Sequence, residues 1–152
     1  MSHLFLDSSA LAKRYLPEQG TTWLREQITN TESVIVSRLT SVEVMSAVAR
    51  RRREGAISVE LFDNIRRLLE KHFLQSYTVI DVNEQVVHDA TNFLSSYSLR
   101  AYDAVQLATA RIVNARLIAN QLFPIRFVCG DIRLLQVAIA EGMFTDNPNE
   151  YP

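Results

Sequence analysis

Short apolar runs alternate along the chain with longer stretches in which apolar residues recur at helical spacing. His3-Leu4-Phe5-Leu6 reads as a buried strand that stops at Asp7, and Ser8 to Leu16 can wind one short helix before Pro17 ends it. A second helix is expected from Glu18 to about Thr29, with Trp23, Leu24 and Ile28 on one side. Ser33-Val34-Ile35-Val36-Ser37, rich in β-branched residues, predicts the second strand. From Thr40 to Arg53 the spacing is again helical, with Val42, Met45, Val48 and Ala49 as the expected apolar stripe and Gly55 as the stop. Ser58 to Phe73 predicts a further helix with Leu61, Ile65, Leu68 and Leu69 inward. Tyr77 to Val82 reads as strand three, Glu84–Tyr97 and Ala101–Asn120 as two helices, and Arg126 to Cys129 as strand four. A last helix over Ile132–Glu141 stops at Gly142, before a short strand at Met143-Phe144-Thr145. Strands separated by helical segments predict an α/β architecture with a mainly parallel sheet of four or five strands.

Composition narrows this picture without naming a function. A chain of 152 residues is expected to form a single domain, 1–152, since two halves would each have a poor core. With 47% hydrophobic and 22% charged residues, and only four Gly and four Pro, it has the profile of a soluble, regularly folded protein. Sixteen basic residues against seventeen acidic ones leave a formal net charge of −1, so any nucleic-acid surface must be local. Cys129 is the only cysteine, which excludes an intrachain disulfide and any multi-cysteine metal cluster, and a reducing cytoplasm is the expected compartment. The opening MSHLFLDSSALAKRY reads as no secretory leader, and no run approaches membrane-spanning length.

The candidate chemistry lies in four acids. Asp7 follows strand one and Asp131 follows strand four, at the carboxyl ends of strands, where open parallel sheets bind ligands. Glu43 and Asp103 fall near the starts of two helices. Each also has a purely structural explanation. Thr40-Ser41-Val42-Glu43 matches a capping box, Asp7 and Asp131 can cap the helices that follow, and Asp103 suits a first helical turn. Capping does not require the four to meet. If they do meet, several carboxylates within about 4–6 Å of one another need a cation. Oxygen-only ligands select a hard ion, Mg²⁺ or Mn²⁺, which suits phosphodiester hydrolysis.

The same residues carry a family resemblance. Leu6-Asp7-Ser8-Ser9-Ala10-Leu11-Ala12-Lys13, Thr40-Ser41-Val42-Glu43-Val44, Tyr102-Asp103-Ala104-Val105-Gln106-Leu107-Ala108-Thr109-Ala110 and Phe127-Val128-Cys129-Gly130-Asp131-Ile132-Arg133-Leu134-Leu135 resemble, in order and spacing, the four acidic motifs of the PIN-domain nucleases. The tail from Ala140 to Pro148 resembles that family's close. The resemblance implies a three-layer α/β/α sandwich and a Mg²⁺- or Mn²⁺-dependent endoribonuclease. It makes Asp7, Glu43, Asp103 and Asp131 the catalytic and metal-binding acids, with Ser8 and Ser9 orienting Asp7 or capping its helix. A PIN domain of this length is similar to the VapC-type toxins of toxin–antitoxin pairs. That implies an RNA substrate, a small antitoxin partner whose tail crosses the groove, and a homodimer. The segment Asn120-Gln121-Leu122-Phe123-Pro124 lengthens the stretch between Asp103 and Asp131 beyond the commonest pattern, and Gly130 adds freedom directly before Asp131.

Other features weigh less. Four consecutive arginines, Arg50–Arg53, surround a helix end rather than sharing a face; one or two could meet RNA phosphates, the rest a helix C-terminus or solvent. Arg66 and Arg67 read as a solvated face. Arg100 is a candidate groove residue or an ordinary ion-pair partner. His3, His72 and His88 lack metal-ligand spacing, and Cys129 reads as a small buried hydrophobe. Two other functions compete. An aspartyl-phosphate enzyme is disfavoured by Ser9, where its second acid would stand. The second is a catalytically silent PIN-fold module binding RNA or protein, which the loss of an acid would favour and the four filled motif positions do not; within the nuclease reading, a PIN nuclease of RNA maturation would present the same site as a toxin.

Overall fold

The computed structural model describes residues 2–152. Five short strands, β1 (His3–Leu6), β2 (Ser33–Ser37), β3 (Thr78–Ile80), β4 (Ile125–Val128) and β5 (Phe144–Asp146), form one sheet in the order β3-β2-β1-β4-β5. Every neighbouring pair is parallel. The helices are α1 (Ser8–Tyr15), α2 (Thr21–Asn30), α3 (Thr40–Arg53), α4 (Val59–Gln75), α5 (Glu84–Ser96), α6 (Ala101–Ala119) and α7 (Ile132–Ala140), followed by a 3₁₀ turn over Pro148–Glu150.

Side chains alternate across the strands and so divide the core in two. Leu4, Leu6, Val34, Val36 and Val128 pack with residues of α1–α4 on one face. Phe5, Ile35, Ile125 and Phe127 pack with α5–α7 on the other, where the Phe5 and Phe127 rings stack 5.7 Å apart. The result is the expected α/β/α sandwich.

Local differences from the expected pattern have identifiable causes. α2 begins at Thr21 rather than Glu18 because Gly20 turns the chain at φ 85°. Only glycine fits there: a Cβ would lie 2.2 Å from the Pro148 carbonyl oxygen. On α3 the buried positions are Thr40, Val44 and Val48, whereas Val42 is 63% exposed, so the expected stripe is rotated. α3 packs between α1 and α4 beneath the sheet's rim, which leaves its Val42 side facing a surface groove. On α4, Ile65 and Leu69 are buried, and Leu61 and Leu68 remain largely outside. β3 is three residues long, β4 starts one residue early and β5 one late. α6 ends in a turn with Gln121 at φ 59°, and the Leu122 and Phe123 side chains project outward.

Candidate active site

The strand order sets the location. From β1 the chain winds through α1 and α2 to β2 on one face; from β4 it enters α7 on the other. β1 and β4 are neighbours, so the helices leaving their carboxyl ends diverge and open a crevice between them. Asp7 is the residue after β1, and Asp131 lies just beyond β4. The starts of α3 and α6 bring Glu43 and Asp103 to the same rim. All four acids line one cavity of about 430 Å³, together with Ser8, Ser9, Arg50, Arg100 and Tyr102.

Asp7 is the most constrained of the four, at 3% exposure. Its Oδ1 accepts the Ala10 N–H at 2.9 Å, capping α1, and the Ser9 hydroxyl at 2.7 Å. Its Oδ2 accepts the Cys129 thiol at 3.0 Å. Burial nevertheless pushes its pKa up to about 6, against the lowering effect of those hydrogen bonds; the charge of Glu43 adds to the rise. Glu43 is held from two sides, by the Ser8 hydroxyl on Oε2 and the Gln106 amide on Oε1, both at 3.0 Å. It does not close a capping box. Leu39 caps α3 without a side-chain bond, and Thr40 instead accepts from Gln106 at 2.9 Å.

Asp103 and Asp131 share one cation. Arg100 Nε donates to Asp103 Oδ2 and its Nη2 to Asp131 Oδ2, each at 3.3 Å. Asp131 also caps α7, its Oδ1 accepting the Arg133 and Leu134 N–H groups. Burial raises the Asp103 carboxyl pKa, and Arg100 draws it partly back. Capping and convergence are therefore not alternatives, since Asp7 and Asp131 do both with different oxygens. Arg100 likewise is both a groove residue and an ion-pair partner.

Gln106, Cys129 and Ser8 hold supporting roles that the sequence did not assign them. Gln106, 1% exposed on α6, spends both amide hydrogens on Thr40 and Glu43, and its Oε1 is buried without a partner. A polar residue three positions after Asp103 on a buried helix face was the available signal. Cys129 is buried as expected, yet it links Asp7 to the backbone N–H of Asp131, which donates to its sulfur at 3.2 Å. The two serines divide: Ser8 serves Glu43, while Ser9 holds Asp7 and accepts the Gly130 N–H at 2.9 Å. That bond anchors Gly130, so the freedom expected before Asp131 is restrained. Of the four arginines, Arg50 lines the cavity, Arg51 reaches Glu18, and Arg52 lies over the Phe62 ring.

The donor set suits a hard divalent cation: four carboxylates and several hydroxyls, with no ion pair to Asp7 or Glu43 among the described residues. The fit is one of chemistry and charge. As placed, no three Asp, Glu, His or Cys side chains among the described residues are arranged around one ion.

Comparison with known proteins agrees with this fold. The model of the PIN domain family matches residues 4–121, a stretch containing Asp7, Glu43 and Asp103 and ending before Asp131. A curated relative, Ribonuclease VapC47 of Mycobacterium tuberculosis (strain CDC 1551 / Oshkosh), is 29% identical over 149 residues, 95% of this chain and 96% of its own. Among solved structures, FitAcB from Neisseria gonorrhoeae superimposes with a TM-score of 0.66 at 19% identity, covering 95% of this chain and 97% of that one. Mycobacterium tuberculosis VapC20, described as a sarcin-ricin loop cleaving toxin, gives 0.62 at 12% identity over 88% and 94%. A toxin–antitoxin complex from Klebsiella pneumoniae gives 0.63 at 14% identity over 95% and 97%. The chain belongs to the PIN domain family. Among its described residues no helix is long and apolar enough to cross a membrane.

Proposed function

We propose that this protein is a Mg²⁺- or Mn²⁺-dependent endoribonuclease and the toxin half of a toxin–antitoxin pair, with Asp7, Glu43, Asp103 and Asp131 as its metal-binding and catalytic acids. The observation that carries the reading is the gathering of these four acids on one cavity at the crevice between β1 and β4. A divalent ion held there supplies Lewis acidity, orienting a water and offsetting charge on a phosphoryl oxygen. The chain's own residues prepare the site. With Oδ1 saturated by two donors and Oδ2 accepting one, Asp7 keeps its free acceptor capacity on Oδ2. Ser8 and Gln106 fix Glu43 as an acceptor for a water proton. Arg50, on the cavity wall, suits an RNA phosphate.

The relative named as a ribonuclease supports RNA as substrate, and the toxin–antitoxin complex among the structural neighbours supports a small antitoxin partner. A homodimer and a cytoplasmic location belong to the same reading. Outward-facing Leu122 and Phe123 are in keeping with an interface, and a single reduced cysteine with the compartment.

The test uses the chain purified free of any partner, mixed RNA, and Mg²⁺, Mn²⁺ or EDTA. Cleavage is expected only with a divalent ion and is expected to fall by about 10³-fold in Asp7→Asn, roughly 4 kcal/mol of barrier. Absence of both cleavage and metal binding in the folded protein would overturn the nuclease and favour a binding module.

A further inference from the structure

Arg100 has an unusual position. Its backbone caps the amino end of α6, its carbonyl accepting the Ala104 N–H at 3.0 Å, while its side chain contributes no cap. A cation at a helix N-terminus opposes the helix dipole. Here two such ends meet, because Asp131 caps α7 beside it. A pair with Asp103 alone would be an ordinary contact three residues apart on one helix. The second contact, to Asp131, spans 31 positions in sequence and adds nothing to α6. Two nitrogens of one fork reach one oxygen on each of two acids, and no other basic side chain among the described residues makes an ion pair with either. The guanidinium stays at the mouth of the cavity, 79% exposed, free to swing away without disturbing the core.

We infer that Arg100 is a built-in counter-cation, a latch that neutralises Asp103 and Asp131 in the metal-free protein and must release them before a divalent ion can be shared across the site. The inference rests on the proposed metal-dependent function and extends it. On Asp131 the Oδ2 that accepts from Arg100 is the oxygen left to a metal once Oδ1 is committed to capping α7, and on Asp103 Arg100 occupies Oδ2 beside an Oδ1 that accepts no hydrogen bond among the described residues. The latch sets the ion concentration at which the nuclease becomes competent. It needs the planar fork: a lysine carries the charge but offers one nitrogen rather than two spaced donors.

The test is Mn²⁺ binding to the full chain without RNA, followed by calorimetry or by the loss of the free-ion electron paramagnetic resonance signal. Arg100→Gln is expected to bind Mn²⁺ about three- to tenfold more tightly than wild type, the scale of one or two exposed ion pairs. Arg100→Lys is expected to fall between them. Arg133→Gln, which removes a nearby charge from α7 that makes no ion pair with these acids, is expected to change affinity less than twofold. Equal affinities in wild type and Arg100→Gln overturn the latch and leave the metal-dependent reading standing. An Arg133→Gln effect as large as that of Arg100→Gln also overturns it, since bulk charge would then suffice. Failure of all forms to bind Mn²⁺ removes the metal reading and the latch together.

Discussion

At its amino end α1 meets Asp7, a carboxylate at 3% exposure with no basic partner among the described residues, beside Glu43, which has none there either. At its carboxyl end the same helix places Arg14 and Tyr15 against His72 and Tyr77. There a single run of hydrogen bonds links all four side chains. Arg14 Nη1 donates to Tyr77 at 2.6 Å, Tyr77 can donate to Tyr15 at 2.6 Å, and Tyr15 to His72 Nδ1 at 2.6 Å. Burial, with the charges of Arg14 and Lys71, lowers the His72 pKa to about 4 and leaves the imidazole a neutral acceptor. Both regions bury polar atoms, but on different terms. The aromatic cluster is linked internally and holds α1 to α4. In the acid cluster Arg100 pairs with Asp103 and Asp131, whereas Asp7 and Glu43 have no ion-pair partner among the described residues, the condition of a site that expects a ligand.

The sharpest way to break this contrast is to neutralise Asp7. Its folded pKa of about 6 lies above the ordinary carboxyl value of 3.8, so the folded state holds the extra proton between these values and carries a constant penalty above them. Asp7→Asn is therefore expected to raise stability at pH 7.5 in EDTA by about 2–3 kcal/mol, measured by urea denaturation, while lowering cleavage by about 10³-fold. A variant less stable than wild type would show that the carboxylate holds the fold rather than straining it. At the other end of α1 the sign reverses. Tyr15→Phe leaves His72 Nδ1 only the Tyr77 hydroxyl at 3.5 Å and is expected to cost about 1–2 kcal/mol with metal affinity unchanged. Neutral behaviour in the same denaturation experiment would remove the cluster's structural role. The smallest effect is in pH. Between about 6.5 and 4 the unfolded chain binds a proton at His72 that the folded one refuses, so the His72 contribution to stability falls as pH drops through that window, against the opposite and larger contribution of Asp7. Because His72 is only partly buried, the expected loss is about 1 kcal/mol after screening. It should vanish in His72→Gln, and an identical pH profile in the two proteins would contradict it.

Much of this was open to reading before any coordinates. Alternating apolar runs and helical periods give the order of elements, because burial on both faces of a parallel sheet imposes period and length locally. Asp7 and Asp131 were visible as acids ending strands. Helix faces were less legible. Val42, Met45 and Ala49 on α3 look equivalent to Val44 and Val48 by composition, and only packing between α1 and α4 decided that Val44 goes in and Val42 stays out.

What the sequence determined by itself is therefore local: strand and helix periods, caps, stops, and which residues carry charge. The tertiary structure alone decided which of those charges meet. Ser8 reaches Glu43 across 35 positions, Gln106 reaches it across 63, and Cys129 reaches Asp7 across 122. Such contacts depend on strand order and on the diverging exits of β1 and β4, and no local pattern encodes them because each side chain's partner lies on a different element. The capping box at Thr40–Glu43 makes the point. Its residues satisfied a local rule, and the fold gave the carboxylate to Ser8 and Gln106, whose hydroxyl and amide donors stand fixed beside this half-buried acid while Leu39 leaves its own helix end without a side-chain cap.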